Sequence, residues 1–330
     1  MRVFYIVRDN KGSNVLSVVY TNNHVFYSIY GSVVSIEHVS IGDILNINDK
    51  HSYATTYNTF LSTYNNDIVA CVTGDNSVEI LEYDTSSGFS LKYDHTEVGY
   101  DFYRSVSDTT NGYIFLYKHT PQSNPTNTYI SAYSYNGLTL SILATIETTP
   151  YGMYFIGGYL YLTFLKNIKK YSFDGVSFTL EEEYTIVSAY DMYFNFLNSD
   201  GTYLYASLVV PNDTISIDRL YAFDLDLNLI DSYDASSNNS GGTLSRVIEG
   251  IRYVFYYLNN SYNTIIFDGS SFVASSRTIS TGGTNVGDGD ILVGDVFYSG
   301  IGSYIVKSIP SDVMPTSFGN VQWFNPSTLT

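Results

Sequence analysis

Five stretches of this chain read as one phrase: "EILEYDTSSGFSLKY", "ISAYSYNGLTLSIL", "KKYSFDGVSFTL", "RLYAFDLDLNLIDSY" and "NTIIFDGSSFVASS". Each alternates polar and apolar residues, breaks at Asp84, Asn136, Asp174, Asp224 or Asp268, and alternates again. A period of two sends successive side chains to opposite faces of a strand, so each phrase predicts two antiparallel strands and a turn. Asn136-Gly137, Asp174-Gly175 and Asp268-Gly269 supply the positive φ of a tight two-residue hairpin. The turn-opening residues follow one another at steps from 38 residues (136 to 174) to 52 (84 to 136). An all-strand repeat of that length predicts a propeller or solenoid array.

Two more strands precede each phrase. "DIVACVTG", "GYIFLYKH", "GYLYLTFL", "TYLYASLVV" and "RYVFYYLNN" lie immediately upstream, and "YATTYNTFLS", "VGYDFYRSV", "TPYGMYFIGG" and "VSAYDMYFNF" upstream of those. The grammar extends to residues 14–49 and 284–309, giving four-stranded units at roughly 12–50, 51–95, 96–147, 148–187, 188–235, 236–281 and 282–309. The expected fold is all-β, a single seven-bladed β-propeller of four-stranded antiparallel blades. The last unit lacks a fourth strand, and residues 1–9 are expected to fill that place and close the ring, covering an open edge. The competing expectation gives that place to "GNVQWFN" (319–325). The end units are read by analogy with the middle ones, so six or eight blades stay open. Residues 310–330 hold three prolines and read as an irregular extension whose Trp323 and Phe324 pack on the ring or on a partner, with a short helical turn allowed near "IPSDVM".

"LYAFDLDLNLIDSYD" (220–234) resembles the outer hairpin of repeat-type β-propellers, an architecture shared by enzymes, scaffolds and lectins. The WD dipeptide and the glycine and tryptophan signature of kelch repeats do not recur. The resemblance implies a rigid disc with a central channel and loops on both faces, and no particular activity. The Tyr-, Ser- and Asn-rich composition further resembles proteins of viruses that infect hyperthermophilic archaea.

Composition narrows the partners. With 34 Tyr and 19 Phe and only 14% charged residues, the chain suits pleated, half-buried surfaces. Its formal charge of −17 repels phosphate backbones and anionic lipid, so nucleic acid is not expected as a partner. No apolar run is long enough for membrane insertion, and "MRVFYIVRDNKG" reads as a strand with no signal peptide. The lone cysteine, Cys71 in "DIVACVTG", reads as an inert core thiol.

Candidate chemistry sits on the first strand of each unit, which in a propeller lines the channel. Tyr57-Asn58, Tyr100-Asp101, Tyr151-Gly152 and Tyr190-Asp191 hold matching places, each followed by Phe60, Tyr103, Tyr154 or Tyr193. Aromatic faces beside carboxylates and amides suit a sugar, whose apolar face stacks while its hydroxyls need directional acceptors. Packing between blades is the plainer reading. Asp288 and Asp290 in "VGDGDIL" are two apart on a strand and so share a face. With Asp101 and Asp191 they can form an acidic funnel that holds Ca²⁺ or serves as a carboxylate pair for glycoside cleavage. "DLDLN" begins like a calcium loop, but Leu229 and Ala235 stand where glycine and glutamate belong, so it reads as a hairpin connection with no cofactor. His24, His38, His51, His95 and His119 make no zinc spacing. The expected function is a non-enzymatic binding or structural module, on a virion or cell surface, that recognises a protein or surface glycan. The alternative is a polysaccharide hydrolase or lyase using Asp101, Asp191, Asp288 or Asp290.

Overall fold

The computed structural model describes residues 4–10, 15–21, 24–37, 49–55, 59–72, 76–120, 127–187, 192–209, 218–235, 241–248, 251–258, 261–280, 286–293, 296–301, 304–310 and 321–324. Every regular element among them is a β-strand. By its internal contacts the chain divides into two compact units, residues 1–147 with 283–328 and residues 148–282 with 329–330.

In the first unit, β1 (Phe4–Asn10), β2 (Val15–Thr21), β3 (His24–Ile29), β4 (Ser32–Glu37) and β5 (Asp49–Ala54) share a nine-stranded sheet with β26 (Val286–Val293), β27 (Val296–Ile301), β28 (Tyr304–Pro310) and β29 (Val321–Phe324). Its order is β29-β1-β28-β27-β26-β2-β3-β4-β5. Two four-stranded antiparallel sheets accompany it, each in sequence order. One is β6 (Thr59–Tyr64), β7 (Asp67–Val72), β8 (Ser77–Asp84) and β9 (Gly88–Thr96); the other is β10 (Asp101–Asp108), β11 (Tyr113–His119), β12 (Thr128–Tyr135) and β13 (Leu140–Glu147).

The second unit has three such sheets. They are β14 (Gly152–Ile156), β15 (Tyr159–Thr163), β16 (Asn167–Phe173) and β17 (Phe178–Thr185); β18 (Tyr193–Ser199), β19 (Leu204–Val209), β20 (Asp218–Phe223) and β21 (Leu229–Ala235); and β22 (Gly241–Ile248), β23 (Ile251–Leu258), β24 (Ser261–Phe267) and β25 (Phe272–Ser280). Four-stranded antiparallel sheets laid down in sequence order are consistent with a propeller.

At the chain ends, β1 lies antiparallel to β28, Phe4 opposite Pro310, and β29 lies on the other side of β1, Tyr5 opposite Trp323. Both terminal segments therefore add to one sheet. The sheet opened by β2 runs past residue 50, because β5 pairs with β4 rather than opening the next sheet. Of the allowed helical turn at "IPSDVM", Ile309 and Pro310 belong to β28, and the remainder lies outside the described residues.

The middle strands explain the near-continuous apolar runs. Every residue of β7 is buried, because its two faces serve two neighbours. Ile68, Ala70, Leu81 and Tyr83 join Phe26 and Val33 of the nine-stranded sheet, while Val69, Cys71, Val78 and Ile80 join Phe102, Ile114, Leu116 and Tyr133. The second unit repeats the plan: Leu204, Ala206, Tyr221 and Phe223 pack with Tyr161 and Ile168, and Tyr205, Leu220 and Ala222 with Val254, Ile265 and Phe267. Each fully buried Val, Leu, Ile or Phe among them contributes about 1.5–3 kcal/mol by leaving water. Cys71 is one of these packing groups, and burial pushes its thiol up to about 12, consistent with an inert core position.

Along the first strands, small polar side chains bridge neighbouring sheets. Ser17 Oγ donates to Leu61 O at 3.2 Å, and the Ser62 and Ser105 hydroxyls meet at 2.6 Å. In the second unit Ser245 Oγ donates to Asn198 Oδ1 at 2.6 Å.

The hairpins between third and fourth strands differ in kind from the two-residue turns expected. Between Tyr135 and Leu140, Phe173 and Phe178, and Phe267 and Phe272 the loop holds four residues, and its first side chain organises it. Asp174 Oδ1 accepts from the amides of Val176 and Ser177, both at 2.8 Å. Asp84, Asn136, Asp224 and Asp268 accept two backbone amides each in the same manner. The carboxylate supplies the bend, and Gly175, at φ 94°, supplies the left-handed residue inside it. Each of these hairpins is accompanied by a β-bulge, at a matching place in Ile80/Leu81, Ala132/Tyr133, Lys170/Tyr171 and Thr264/Ile265 and two residues nearer the turn at Ala222/Phe223. A bulge adds local twist, so its repetition gives the sheets a common shape.

Candidate functional site

Among the described residues, aromatic and polar groups gather where the chain enters a first strand in each unit. In the first unit Asp101 opens β10 opposite His119, the last residue of β11. The register then slips between Phe102 and Arg104, leaving Tyr103 outside the ladder and partly exposed. Its hydroxyl lies 2.6 Å from His119 Nε2, with ring centroids 4.5 Å apart. Burial pushes His119 below the usual imidazole range, against the opposing pull of Asp101, and burial with Asp101 pushes the Tyr103 phenol up. The contact then joins a neutral phenol to a neutral imidazole, with the ring's tautomer deciding which of the two donates. Such a pair offers a ring face and a hydrogen bond, and it makes a poor nucleophile.

Tyr100 faces inward from this edge. Its ring stands 4.5 Å from Lys118 Nζ and 5.8 Å, edge-on, from Tyr129. Lys118 is 2% exposed and donates to Glu97 Oε1 at 2.6 Å and to the Tyr133 hydroxyl at 3.1 Å. Tyr133 in turn donates to Glu97 Oε2 at 2.7 Å. Burial pushes the Glu97 carboxyl up, but the nearby His95 ring, 3.7 Å away, and the donors Lys118 and Tyr133 outweigh it and hold the group down to about 2. This closed network ties residues 97–100 to β11 and β12 and thereby fixes the approach to Asp101.

In the second unit Tyr151 precedes β14, its amide bonded to Thr163 O at 2.8 Å. Its ring is 41% exposed and stacks on Tyr193, the first residue of β18, at 5.0 Å and 27°. The amide of the next residue, Phe194, is anchored to Phe164 O at 3.0 Å. Two adjacent sheets thus hold two tyrosines in register by backbone contacts, leaving an aromatic surface open to water.

The other candidate residues from the sequence fall in three places. Tyr57, Asn58, Tyr190 and Asp191 lie outside the described residues. Asp288 pairs through its backbone with Ser17, and Asp290 with Ser299; their side chains lie outside the described set. The register shifts between Val286 and Asp290, across the span where strict alternation is the ground for placing both aspartates on one face. No group of three or more His, Cys, Asp or Glu side chains among the described residues is placed to hold a metal ion. In "DLDLN", Asp224 spends its carboxylate on its own turn and on Asn228 Nδ2, while Asp226 accepts from the buried Lys170 at 2.6 Å. The segment is a hairpin connection.

His119, Lys118, Glu97 and Tyr133 do not stand out as a group in the sequence, because the first two come from β11, Tyr133 from β12 and Glu97 from the connection after β9. The available signal is Lys118 itself, a lone cation inside the apolar run "GYIFLYKH".

No family model and no curated protein matches the chain. Among solved structures it is similar to a protein from Lactobacillus plantarum at 10% identity, covering 85% of this chain and 97% of that one with TM-score 0.64. It is also similar to a candidate 6-phosphogluconolactonase from Bacteroides fragilis, at 10% identity, 85% and 95% coverage and TM-score 0.62. The N-terminal domain of Nup159 matches at 9% identity, 93% and 96% coverage and TM-score 0.57, and an S. cerevisiae structure holds Dbp5 bound to Nup159. None of these similarities bears on a viral or archaeal source. At such identities the likeness speaks for the fold alone: this is a β-propeller-like protein.

Proposed function

We propose that the chain is a seven-bladed β-propeller, closed by β1 beside β28, that acts without turnover as a binding module for a protein or glycan partner. The observation that carries the reading is the open stack of Tyr151 on Tyr193, held by the backbones of two sheets. Rigid tyrosine faces suit the apolar side of a pyranose or an apolar side chain, and their hydroxyls add directional bonds at small entropic cost. Ring closure is supported by the nine-stranded sheet. It reads as two four-stranded groups, β2 to β5 and β26 to β28 with β1, that touch through the single parallel pairing of Ser17 with Asp288, with β29 added as a ninth strand beyond β1. The binding of Dbp5 to Nup159 supports a protein partner by analogy of fold. A virion or cell-surface setting, and a source among viruses of hyperthermophilic archaea, rest on composition.

A glycan array and a pull-down from envelope or virion extract test the reading. Tyr151→Ala and Tyr193→Ala are each expected to weaken retention by about tenfold, the loss of one aromatic face. Unchanged retention in both variants overturns it. The enzyme alternative takes its place if the protein degrades a polysaccharide and Asp101→Asn abolishes that activity.

A further inference from the structure

Asn-Gly occurs twice in the chain, at Asn111-Gly112 and at Asn136-Gly137, and both pairs sit in exposed hairpins. Their surroundings differ. Asn136 Oδ1 accepts the amides of Leu138 and Thr139, each at 2.9 Å, with Thr139 Oγ1 at 3.4 Å. When an amide nitrogen attacks Cγ, negative charge develops on that oxygen. Two preorganised backbone donors at this distance are what stabilises such an oxyanion. The nucleophile is adjacent: the Gly137 N–H has no acceptor among the described residues. Gly137 sits at φ 88° with open space around it, so the ring that must form meets no neighbour. Around Asn111 the same groups are occupied. The Gly112 amide donates to Asp108 O at 2.9 Å, and Asn111 Nδ2 donates to Asp108 Oδ2 at 2.7 Å.

We propose that Asn136 is a self-modification site, at which the hairpin's own amides promote deamidation while the Asn111 hairpin resists it. The Gly137 nitrogen, losing its proton to solvent base, bonds to Asn136 Cγ. The C–N bond to the side-chain nitrogen breaks, ammonia leaves, and a succinimide remains. Water then opens the ring to aspartate or isoaspartate. The aspartate product matches the repeat, since Asp84, Asp174, Asp224 and Asp268 occupy the same turn position. Asp174 and Asp268 also precede glycine, but a turn carboxylate is a weak electrophile, and the structure holds both ionised. Isoaspartate instead lengthens the backbone by one carbon and withdraws the acceptor from the turn.

The test is peptide mapping by mass spectrometry of the folded full chain during incubation at mildly alkaline pH, with isoaspartate scored separately. Asn136 is expected to gain one mass unit about tenfold faster than Asn111, whose reaction must first break two hydrogen bonds. In denaturant the two rates should converge, because both sites then share the same dipeptide chemistry. Equal rates in the folded protein, or Asn136 reacting more slowly folded than unfolded, overturn the proposal. Asn136→Asp, which needs no conversion, should retain the parent's melting temperature; a marked fall would show that aspartate does not fit this turn and would overturn the claim that the product suits it.

Discussion

Lys118 is an ammonium almost without water, and Glu97 and Tyr133 replace the shell it has lost. Removing one partner of such a pair leaves an uncompensated charge, so Lys118→Met is expected to cost about 3 kcal/mol in denaturant unfolding. Adding Glu97→Gln to Lys118→Met should recover part of that loss, and a double variant no better than the single one would deny the coupling. The pair also sets an acid dependence. Glu97 falls from an ordinary 4.5 to about 2 on folding, so its stabilisation is complete above pH 4.5 and is lost as the pH drops through about 2. Glu97→Gln should flatten that part of the stability profile. At this scale the sequence is unevenly legible. Tyr151 and Tyr193 each stand at a place that recurs from unit to unit, the first with Tyr100 and the second with Tyr103 and Tyr154, which marks them out, whereas Glu97 follows a strand in a short loop and nothing local marks it as the partner of a lysine from another strand.

The recurring element is the hairpin between third and fourth strands, and its first side chain is the organiser. Asp268 is held at about 2, from 3.8, by the Ser270 hydroxyl and the amides of Ser271 and Ser270. Its contribution is therefore present above pH 3.8 and disappears as the pH falls through about 2. Asp268→Asn should keep the turn, as Asn136 does, and remove that acid sensitivity. Asp268→Ala should lower the melting temperature at neutral pH. Equal melting curves for the two variants would show that the side-chain acceptor is dispensable. These turns are legible because aspartate or asparagine followed by glycine has few other uses between alternating runs. Their length is not, and neither are the bulges at Lys170/Tyr171 and its counterparts, since one extra residue in a fourth strand such as "FTLEEEYT" leaves the hydrophobic pattern readable in either register.

At the scale of the molecule, stability resides in faces shared between sheets. Ile80 is fully buried against β10 to β12, so Ile80→Ala is expected to cost about 2–5 kcal/mol, while the exposed Leu138→Ala should stay within about 0.5 kcal/mol. Similar losses at the two sites, measured by denaturant unfolding, would contradict the shared core. Deleting residues 4–10 removes β1 from between β28 and β29 and bares a long edge. The truncated chain is expected to melt lower and to self-associate with rising concentration in light scattering. Unchanged behaviour would mean that the terminal pairing adds nothing. The order of strands is readable from one repeating phrase, but the partition of β7 between two clusters is not, because a run of apolar residues does not say which neighbour each one serves.

That double allegiance of the middle strands constrains how such a chain can change over generations. An extra amino acid inside β7 would exchange the residues owed to one neighbour for those owed to the other, spoiling two interfaces with a single event. Insertions and deletions are therefore confined to the connections, and new modules arise more readily by copying a whole quartet than by editing one.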